Sequence, residues 1–406
     1  MIAVLSDSPT LTTGFGRTTE VIAQALHDDG HQVACFGIKA RPEDIGQTPY
    51  RVWPAEQGGH WTRTLPEFFQ ATRPRCLVVN MDAYNAVEVI TVARTAGYDG
   101  PVISYVVFDG LPVGEHFLAV QRSCSAVLAS SHAAASYMRS EGINVLGVAP
   151  PGVDASAFRV LPSRQLLRER AGLADAHVLG VFGVNSERKQ TARVLAALPQ
   201  IARHLAPARV ALYLHCRQVG YWRLEDMARD LGVSNMVYFP RASGFDEWRG
   251  VPDSGTSPAQ APGSATPPGQ LPDGLSYVER LNLCDLIINV PHSGDIEQVI
   301  LEAQACGVPL IHTDDHGVMT EAVGPGSGIL LQATDIGIGR AGEQIRHVAT
   351  SDIAAAAVEV LTSPARAATL RQAGLANAAR YPWSTLSSEI CKAAASVLRS
   401  ESLHQA

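Results

Sequence analysis

The sequence predicts an α/β protein of two doubly wound, Rossmann-like domains, and three observations lead to that fold class. Short β-rich runs alternate with helical segments along nearly the whole chain, a pattern typical of parallel sheets with crossover helices. A Pro- and Gly-rich passage, PPGVDASAFRVLPS, interrupts the alternation near residue 151. The length of 406 residues suits two separate cores. Because ligands of open parallel sheets bind beyond the carboxyl ends of the strands, we expect the domains to face each other across a cleft.

The N-terminal domain is predicted over residues 1–155. Its apolar, β-branched runs are separated by helical segments such as TTEVIAQALHDDG. The predicted strands are 2–6, 31–38, 76–81, 101–108 and 126–131.

The C-terminal domain is predicted over residues 156–380 and repeats the alternation. Residues 243–274 interrupt it with a Pro-, Gly- and Ser-rich insertion, which is either a mobile loop or lid, or a disordered insertion without function. The predicted strands are 177–184, 209–216, 236–240, 285–291, 308–314 and 328–332.

Composition and charge narrow the class of protein. The chain is 46% hydrophobic and 17% charged, as globular proteins are, and its net charge of −7 argues against non-specific binding to nucleic acid or to a membrane surface. Seven scattered cysteines without a C-x-x-C pair predict reduced thiols in a cytoplasmic protein. Because the sequence has neither a secretory signal nor a long apolar run, we expect no secretion and no membrane span.

The stretch TLTTGFGRTTE, residues 10–20, raises the question of a dinucleotide site. That fingerprint requires G-x-G-x-x-G after the first strand and an acidic residue at the end of the second strand. Here Thr19 replaces the third glycine after Gly14 and Gly16, and Lys39 stands where the acid belongs. The pattern therefore argues against NAD or FAD. It leaves either a loop whose backbone N–H groups bind an anion at a helix N-terminus, or a plain flexible turn.

Two cations mark the first strand-to-helix turn of the second domain. Arg188 and Lys189 follow a predicted strand in FGVNSERKQTARVLAALPQI, at the start of a helix that runs toward Ile201. Cations at such a turn suit a diphosphate, which an arginine can bind in bidentate fashion. Alone the pair is a weak signal, since surface Arg-Lys pairs are commonly solvated.

The segment HSGDIEQVILEAQACGVPLIHTDDHGVMTEAV, residues 292–323, carries two informative carboxylates. Asp295 and Glu302 are seven residues apart, so on a helix they share one face, roughly 10 Å apart. An acid within the apolar stretch VILEAQACG costs desolvation free energy unless it has a partner such as a ribose diol. A solvated or salt-bridged glutamate is the alternative.

Several of these motifs occur in an order that resembles the family 4 retaining glycosyltransferases of the GT-B architecture. They are TGFG, HDDGHQV, PPGVDASAF, NSERKQ, LEAQACGVPLIHTD and YPWSTL, which together span nearly the whole chain except residues 243–274. The most specific piece is LEAQACGVPLIHTDDHG, which is similar to the family's LEAMACGxPVVATDxGG. The resemblance implies a nucleotide-diphosphate sugar bound chiefly by the C-terminal domain and an acceptor bound by the N-terminal domain. It also implies a final helix, residues 381–406, that crosses back to the first domain.

The resemblance assigns roles to individual residues. Glu302 matches the glutamate that binds the donor ribose, and Lys189 matches the lysine that binds the diphosphate. Gly14, Phe15 and Gly16 match the N-terminal glycine loop over the phosphates. Asp109, in VVFDGLP, matches a polar residue that faces the reacting sugar or the acceptor. The remaining predicted donor-binding residues are Asn185, Ser293, Gly294 and Glu297, and the predicted catalytic residues are Arg188, Lys189, Asp295 and Asp109.

Two positions depart from the family pattern. The glutamate expected eight positions before Glu302, where it reaches sugar hydroxyls, is Gly294 in this chain. Its role falls either to Asp295 or Glu297, or to the backbone N–H groups of the turn at residues 293–295. The family's phosphate-binding arginine aligns with Val184, so Arg188 is expected to supply that charge.

The function implied is transfer of a hexose, with retention of anomeric configuration, to a hydroxyl or similar group. No cofactor and no metal are expected, because His215-Cys216 and Asp314-Asp315-His316 lack the spacing of a zinc site. Two alternatives remain: a catalytically silent module that binds a sugar nucleotide or a partner, and another GT-B enzyme such as a sugar-nucleotide epimerase. The acceptor is open between a small molecule, a peptide, a glycan and a nucleobase. We also expect Gly16→Val to obstruct donor binding while leaving the fold largely intact.

Overall fold

The structure is a computed structural model that describes the chain except residues 12, 42, 44, 56–60, 241–270, 272–273, 341 and 405–406. The chain forms two compact units. Unit 1 consists of Met1–Gly152, Gly339–Glu343 and Trp383–Ala406, and unit 2 consists of Val153–Ile338 and Gln344–Pro382. Each unit contains a parallel sheet flanked by helices, so the predicted class of two Rossmann-like domains is confirmed.

Unit 1 contains a seven-stranded parallel sheet in the order β3-β2-β1-β4-β5-β6-β7, and unit 2 contains a six-stranded parallel sheet in the order β10-β9-β8-β11-β12-β13. An antiparallel hairpin of β14 and β15 is separate from both sheets. The strands are β1 (Ile2–Asp7), β2 (Val33–Ile38), β3 (Arg51–Pro54), β4 (Cys76–Asp82), β5 (Val102–Val107), β6 (Ala126–Ala129), β7 (Val145–Val148), β8 (Ala176–Phe182), β9 (Arg209–His215), β10 (Val237–Tyr238), β11 (Leu286–Asn289), β12 (Leu310–Thr313), β13 (Ile329–Leu331), β14 (Asp335–Ile338) and β15 (Gln344–His347).

Helices lie between successive strands of both parallel sheets, as crossover connections require. Short 3₁₀ turns occur at Trp61–Thr64 and Ser234–Met236. The α-helices are α1 (Gly14–Asp28), α2 (Leu65–Thr72), α3 (Ala83–Thr95), α4 (Glu115–Arg122), α5 (His132–Ser140), α6 (Arg164–Arg170), α7 (Thr191–Leu205), α8 (Leu224–Asp230), α9 (Tyr277–Leu283), α10 (Gln298–Ala305), α11 (Val318–Val323), α12 (Thr350–Thr362), α13 (Pro364–Ala378) and α14 (Trp383–His404).

Each unit has its own apolar core beside its sheet. In unit 1, Leu386 and Ile390 of α14 pack with Ile22 of α1 against β1 and β5. In unit 2, Leu198 of α7 and Val360 of α12 belong to the cluster that covers β8, β9 and β11. Strands buried on both faces read as continuous apolar runs, which is why the sequence revealed most of them.

Every predicted strand corresponds to an observed strand within a few residues, but four observed strands were not predicted. Two of them, β3 and β7, belong to the sheet of unit 1, and β14 and β15 form the hairpin. β3 ends in proline, and neither hairpin strand contains a fully buried residue, so β3 and the hairpin lack the apolar run of a buried strand. Residues 243–274 lie outside the described residues, apart from Leu271 and Gly274.

The glycine stretch forms the first turn of a helix rather than a loop. Helix α1 begins at Gly14, and the side chain of Thr13 caps it by accepting a hydrogen bond from the Gly16 N–H at 3.0 Å. The Thr13 hydroxyl donates in turn to Asp7, at the end of β1, at 3.0 Å. The expectation that Gly16→Val leaves the fold intact is wrong, because a Cβ at Gly16 would lie 2.2 Å from the Leu11 carbonyl oxygen.

Gly16→Ala should therefore destabilise the protein by about 2–3 kcal/mol, because the added methyl group overlaps backbone that cannot rotate away. The matched control is Gly14→Ala, at the exposed first residue of the same helix, which should change the free energy of unfolding by less than about 0.5 kcal/mol. Urea denaturation of the three proteins measures both effects. Equal stability of the two variants would contradict the packing argument.

Candidate functional site

The carboxyl ends of β8 and β11 bring the two predicted cations of unit 2 to a buried carboxylate. Arg188 and Lys189 lie in the turn between β8 and α7, and Glu297 is the residue that precedes α10. The cations lie directly before α7, which begins at Thr191, in the strand-to-helix turn that the sequence predicts. Gln190 fixes their turn, because its side-chain amide donates to the carbonyl of Val290 at 3.0 Å.

Glu297 binds both cations through one carboxylate oxygen. Its Oε1 accepts from Arg188 Nη1 at 3.0 Å and from the Lys189 ammonium. Its Oε2 accepts from the Asn289 side-chain amide, at the end of β11, at 2.5 Å. Glu297 thus joins the turn after β8, the end of β11 and the start of α10.

The charges around Glu297 reverse the effect of its burial. Burial alone raises the pKa of this carboxyl, but Lys189 and then Arg188 lower it more strongly, so that the pKa falls from 4.5 to about 2. His312 of β12 is also fully buried, and burial lowers the pKa of its imidazole although Glu297 acts in the opposite direction. Glu297 is therefore ionised throughout the physiological pH range.

The turn at residues 293–295 completes the surroundings of Arg188. The Ser293 carbonyl accepts from Arg188 Nη1 at 3.0 Å, and the Ser293 hydroxyl pairs with the His292 ring at 3.0 Å. A Cβ at Gly294 would lie 2.8 Å from Arg188 Nη1. The missing side chain at 294, which departs from the family pattern, thus leaves space that the guanidinium uses.

Asp295 does not lie on the helix that carries Glu302. Helix α10 begins only at Gln298, so the prediction that the two carboxylates share one helix face is wrong. Asp295 is buried in the preceding turn, where its carboxylate accepts from the Ile296 N–H at 2.6 Å. The glycine and the acidic residues before α10 favour an extended turn over an earlier helix start.

Glu302 is buried on α10 and its partner is a tyrosine. The hydroxyl of Tyr277, the first residue of α9, donates to Glu302 Oε2 at 3.0 Å. The Tyr277 ring packs edge-on against Phe182 and His215, whose ring centroids are 5.6 Å and 5.3 Å away. Burial lowers the pKa of His215 to about 3, so this imidazole is a neutral part of the cluster.

Asn185 has a structural role in the described part of the chain. Its amide donates to the carbonyls of Arg217 and Trp222, and its side-chain oxygen accepts from the Trp222 N–H, all within 3.1 Å. Asn185 therefore holds the loop after β9. A direct contact of this side chain with a donor stays a prediction.

The possible metal ligands Asp314 and Asp315, just after β12, accept hydrogen bonds from backbone N–H groups of the turn that follows. Asp314 accepts from the His316 N–H, and Asp315 accepts from the N–H groups of Gly317 and Thr320. Within the described ranges, no group of three or more His, Cys, Asp or Glu side chains is arranged to bind a metal ion.

The predicted site residues of unit 1 follow β1 and β5. Gly14, Phe15 and Gly16 form the first turn of α1, where the Phe15 carbonyl accepts from the Asn80 side chain at 3.2 Å. Asp109 is partly exposed just beyond β5. Lys39, at the position where dinucleotide-binding folds have an acid, pairs with Asp7 at 2.9 Å.

Sequence reasoning missed three residues that support these sites: Asn289, Tyr277 and Asn80. Each is a single polar residue in or beside an apolar segment, and its partner lies elsewhere in the chain. An asparagine in a buried strand is the one signal that could have indicated Asn80 and Asn289, because a buried amide requires hydrogen-bond partners.

Comparison with known proteins agrees with the architecture. No family model matches the chain. A GDP-mannose-dependent alpha-(1-6)-phosphatidylinositol monomannoside mannosyltransferase of Mycolicibacterium smegmatis is 28% identical over 234 residues, 55% of this chain and 49% of that protein. A D-inositol 3-phosphate glycosyltransferase of Stackebrandtia nassauensis is 29% identical over 250 residues, 58% of this chain and 45% of that protein. The chain spans about half the length of these curated relatives, which are glycosyltransferases.

Solved structures share the fold over nearly the whole chain. Sucrose-phosphate synthase of Thermosynechococcus elongatus superposes with a TM-score of 0.71 at 17% identity, covering 98% of this chain and 99% of that one. HepE of Anabaena in complex with UDP-glucose gives a TM-score of 0.68 at 19% identity, covering 97% and 99%. The chain therefore shares the fold of two Rossmann-like units with these solved structures. No helix among the described residues is long and apolar enough to cross a membrane.

Because of the ion pairs of Glu297, the free energy of unfolding should depend on pH. Because the folded pKa of about 2 lies below the ordinary value of 4.5, the carboxylate stabilises the fold above about pH 4.5, and this contribution disappears as the pH falls toward 2. Glu297→Gln should cost about 3 kcal/mol at pH 7 and progressively less toward pH 3.

Urea denaturation of the wild type and of Glu297→Gln at pH 7, 5 and 3.5 measures this dependence. The matched control is Glu359→Gln, which breaks an exposed pair with Arg366 and should cost at most about 1 kcal/mol. A difference between wild type and Glu297→Gln that stays constant with pH would refute the assignment of the charge.

Proposed function

We propose that the chain is a hexosyltransferase that moves a sugar from a nucleotide-diphosphate sugar to an acceptor hydroxyl. The observation that carries the proposal is the pair of cations, Arg188 and Lys189, at the carboxyl edge of the unit 2 sheet, with Glu302 on the helix that follows Glu297. Further support comes from the GT-B architecture and from the curated relatives, which are glycosyltransferases.

The chemistry asks the protein to stabilise a departing diphosphate. The bond between the anomeric carbon and the phosphate oxygen breaks, and its electron pair leaves with the diphosphate, whose charge Arg188 and Lys189 offset. The acceptor oxygen forms the new bond, and its proton passes to the departing phosphate. Glu302 accepts hydrogen bonds from the hydroxyls of the donor ribose, and the Tyr277 hydroxyl fixes the position of its carboxylate. Because two side-chain cations supply the positive charge, we propose that transfer needs no metal ion and no cofactor.

Unit 1 takes the acceptor in this proposal. The first turn of α1 contributes backbone N–H groups toward the phosphates, and Asp109 contacts the reacting sugar or the acceptor, as the family resemblance implies. The names of the curated relatives suggest that inositol-containing compounds belong first in an acceptor screen. The seven free thiols, six of which are buried, fit a reducing cytoplasm, where we place the enzyme.

One observation favours a second function. Gly294 replaces the glutamate that reaches sugar hydroxyls in the family, and such a loss suits a catalytically silent module that binds sugar nucleotides. This module would bind a donor without releasing nucleotide. The transferase proposal predicts release.

Donor turnover with defined variants tests the proposal. Against a panel of UDP-, GDP-, ADP- and dTDP-sugars with inositol and other acceptors, the wild type should transfer sugar and release nucleotide, also in the presence of EDTA. Lys189→Ala should lower kcat/KM about 100-fold or more, because the diphosphate loses a cation in the transition state. Glu302→Ala should raise KM about tenfold through lost ribose hydrogen bonds.

Lys392→Ala provides the control, since this exposed lysine of α14 pairs only with Glu389 in the described structure. It should leave both kinetic constants unchanged. Nucleotide binding without any release would contradict transfer and support the silent module. Interconversion of the donor sugar without transfer would support an epimerase.

The stereochemistry of the product tests retention separately. We propose that the acceptor attacks from the face that the diphosphate leaves, so an α-linked donor should yield an α-linked product. Proton NMR of the anomeric coupling constant in the purified product distinguishes the two outcomes. A β-linked product from an α-linked donor would exclude the retaining mechanism and leave the transferase activity standing.

A further inference from the structure

We propose that Glu297 is a positioning residue that keeps Arg188 and Lys189 ordered, and Lys189 charged, for the diphosphate of the donor, and does not itself bind the sugar. This inference rests on the proposed function. In this inference the carboxylate acts on the donor only by holding the two cations. The family resemblance had instead offered Glu297 as one of several possible replacements for the glutamate missing at 294.

The hydrogen bonds of Glu297 point to support rather than to substrate contact. The side-chain amide of Asn289 donates a hydrogen bond to Glu297 Oε2 at 2.5 Å, and Glu297 Oε1 accepts hydrogen bonds from both cations. Arg188 is fixed a second time by the Ser293 carbonyl at 3.0 Å. Bonds of this kind orient a charged side chain before a ligand arrives, which lowers the entropy lost on binding.

The exposures of the three side chains show which of them a ligand can reach. The Glu297 side chain is 7% exposed, whereas the side chains of Lys189 and Arg188 are 14% and 28% exposed. An anion that approaches from solvent therefore meets the cations first. The carboxylate lies behind them.

Glu297 also maintains the charge of Lys189. The groups that the structure places beside this ammonium include the carboxylate of Glu297, the guanidinium of Arg188 and the buried His312, and Glu297 brings negative charge into direct contact with it. A largely buried ammonium beside a guanidinium favours its neutral form once its carboxylate is removed. Loss of Glu297 would thus remove one positive charge from the site as the pH rises.

An opposite effect of the same carboxylate is repulsion of the incoming phosphates. If Glu297 acted mainly as a competing anion, its removal would tighten the binding of a diphosphate. The two roles predict changes of opposite sign. The direction of the change in affinity therefore decides between them.

Isothermal titration with UDP, GDP, ADP and dTDP, and with the four corresponding nucleosides, measures the part of the affinity that the diphosphate contributes. With the nucleotide that the wild type prefers, Glu297→Gln should weaken diphosphate binding at least tenfold at pH 7.5 and leave nucleoside binding within about twofold. This loss should grow between pH 6.5 and pH 9 more steeply than any change in the wild type. Glu297→Asp, which keeps the charge, should recover part of the loss.

Asn289→Ala provides a second test in case Glu297→Gln does not fold, because it keeps all three charges and removes only the hydrogen bond that anchors Glu297. It should weaken diphosphate binding by a smaller factor without the steeper pH dependence. Circular dichroism and the nucleoside affinity report whether each variant is folded.

Unchanged or tighter diphosphate binding by folded Glu297→Gln would overturn the inference while leaving the proposed function intact. A loss of affinity for the sugar nucleotide alone, without a loss of affinity for the free nucleoside diphosphate, would also overturn it, because Glu297 would then contact the sugar. Failure of the wild type to bind any of the four nucleoside diphosphates would instead contradict the proposed function, and this inference with it.

Discussion

The carboxylate of Glu297 is the constraint on which the architecture of the candidate site depends. A buried carboxylate costs several kcal/mol of desolvation free energy unless opposite charges and hydrogen-bond donors surround it. Two segments that are distant in sequence supply those partners to Glu297, which lies in the turn before α10: the turn after β8 and the last residue of β11. Because β8 and β11 are neighbouring parallel strands, the sheet brings their carboxyl ends together, and the ion pairs then fix the geometry of the turns.

Helix α10 carries a second buried acid whose environment differs from that of Glu297. Glu302 accepts a hydrogen bond from the hydroxyl of Tyr277 in α9, and the ring of this tyrosine packs against Phe182. A neutral donor can be exchanged for the hydroxyls of a ligand at little electrostatic cost, whereas a cation held by a buried acid cannot be released without leaving a charge uncompensated. Glu297, just before α10, thus pairs with two cations, whereas Glu302, five residues later, accepts a hydrogen bond from a neutral hydroxyl.

Most of the fold could be predicted from the sequence, since strands buried on both faces read as continuous apolar runs, as in IAVLS and DLIINVP. The first residues of the helices were harder to predict from the sequence. Helix α1 begins at Gly14 because Thr13 caps it, and α10 begins only at Gln298 because Glu297, just before it, is engaged in ion pairs. The residues that support the site were missed for the same reason. The partners of Asn289 and Tyr277 lie eight and 25 residues away, and nothing in local periodicity records a hydrogen bond across that separation.

Two departures from the family pattern are physically coupled. Glycine replaces the glutamate at 294, and arginine stands at 188, four residues beyond the position where the family has its cation. A Cβ at Gly294 would lie 2.8 Å from Arg188 Nη1, so a glutamate and this guanidinium could not both keep the positions described here. With the glutamate absent, the guanidinium reaches the Ser293 carbonyl and Glu297. Considered separately, each change argues against activity; considered together, they describe one rearrangement, in which the absence of a side chain at 294 gives the Arg188 guanidinium room to reach the Ser293 carbonyl and Glu297.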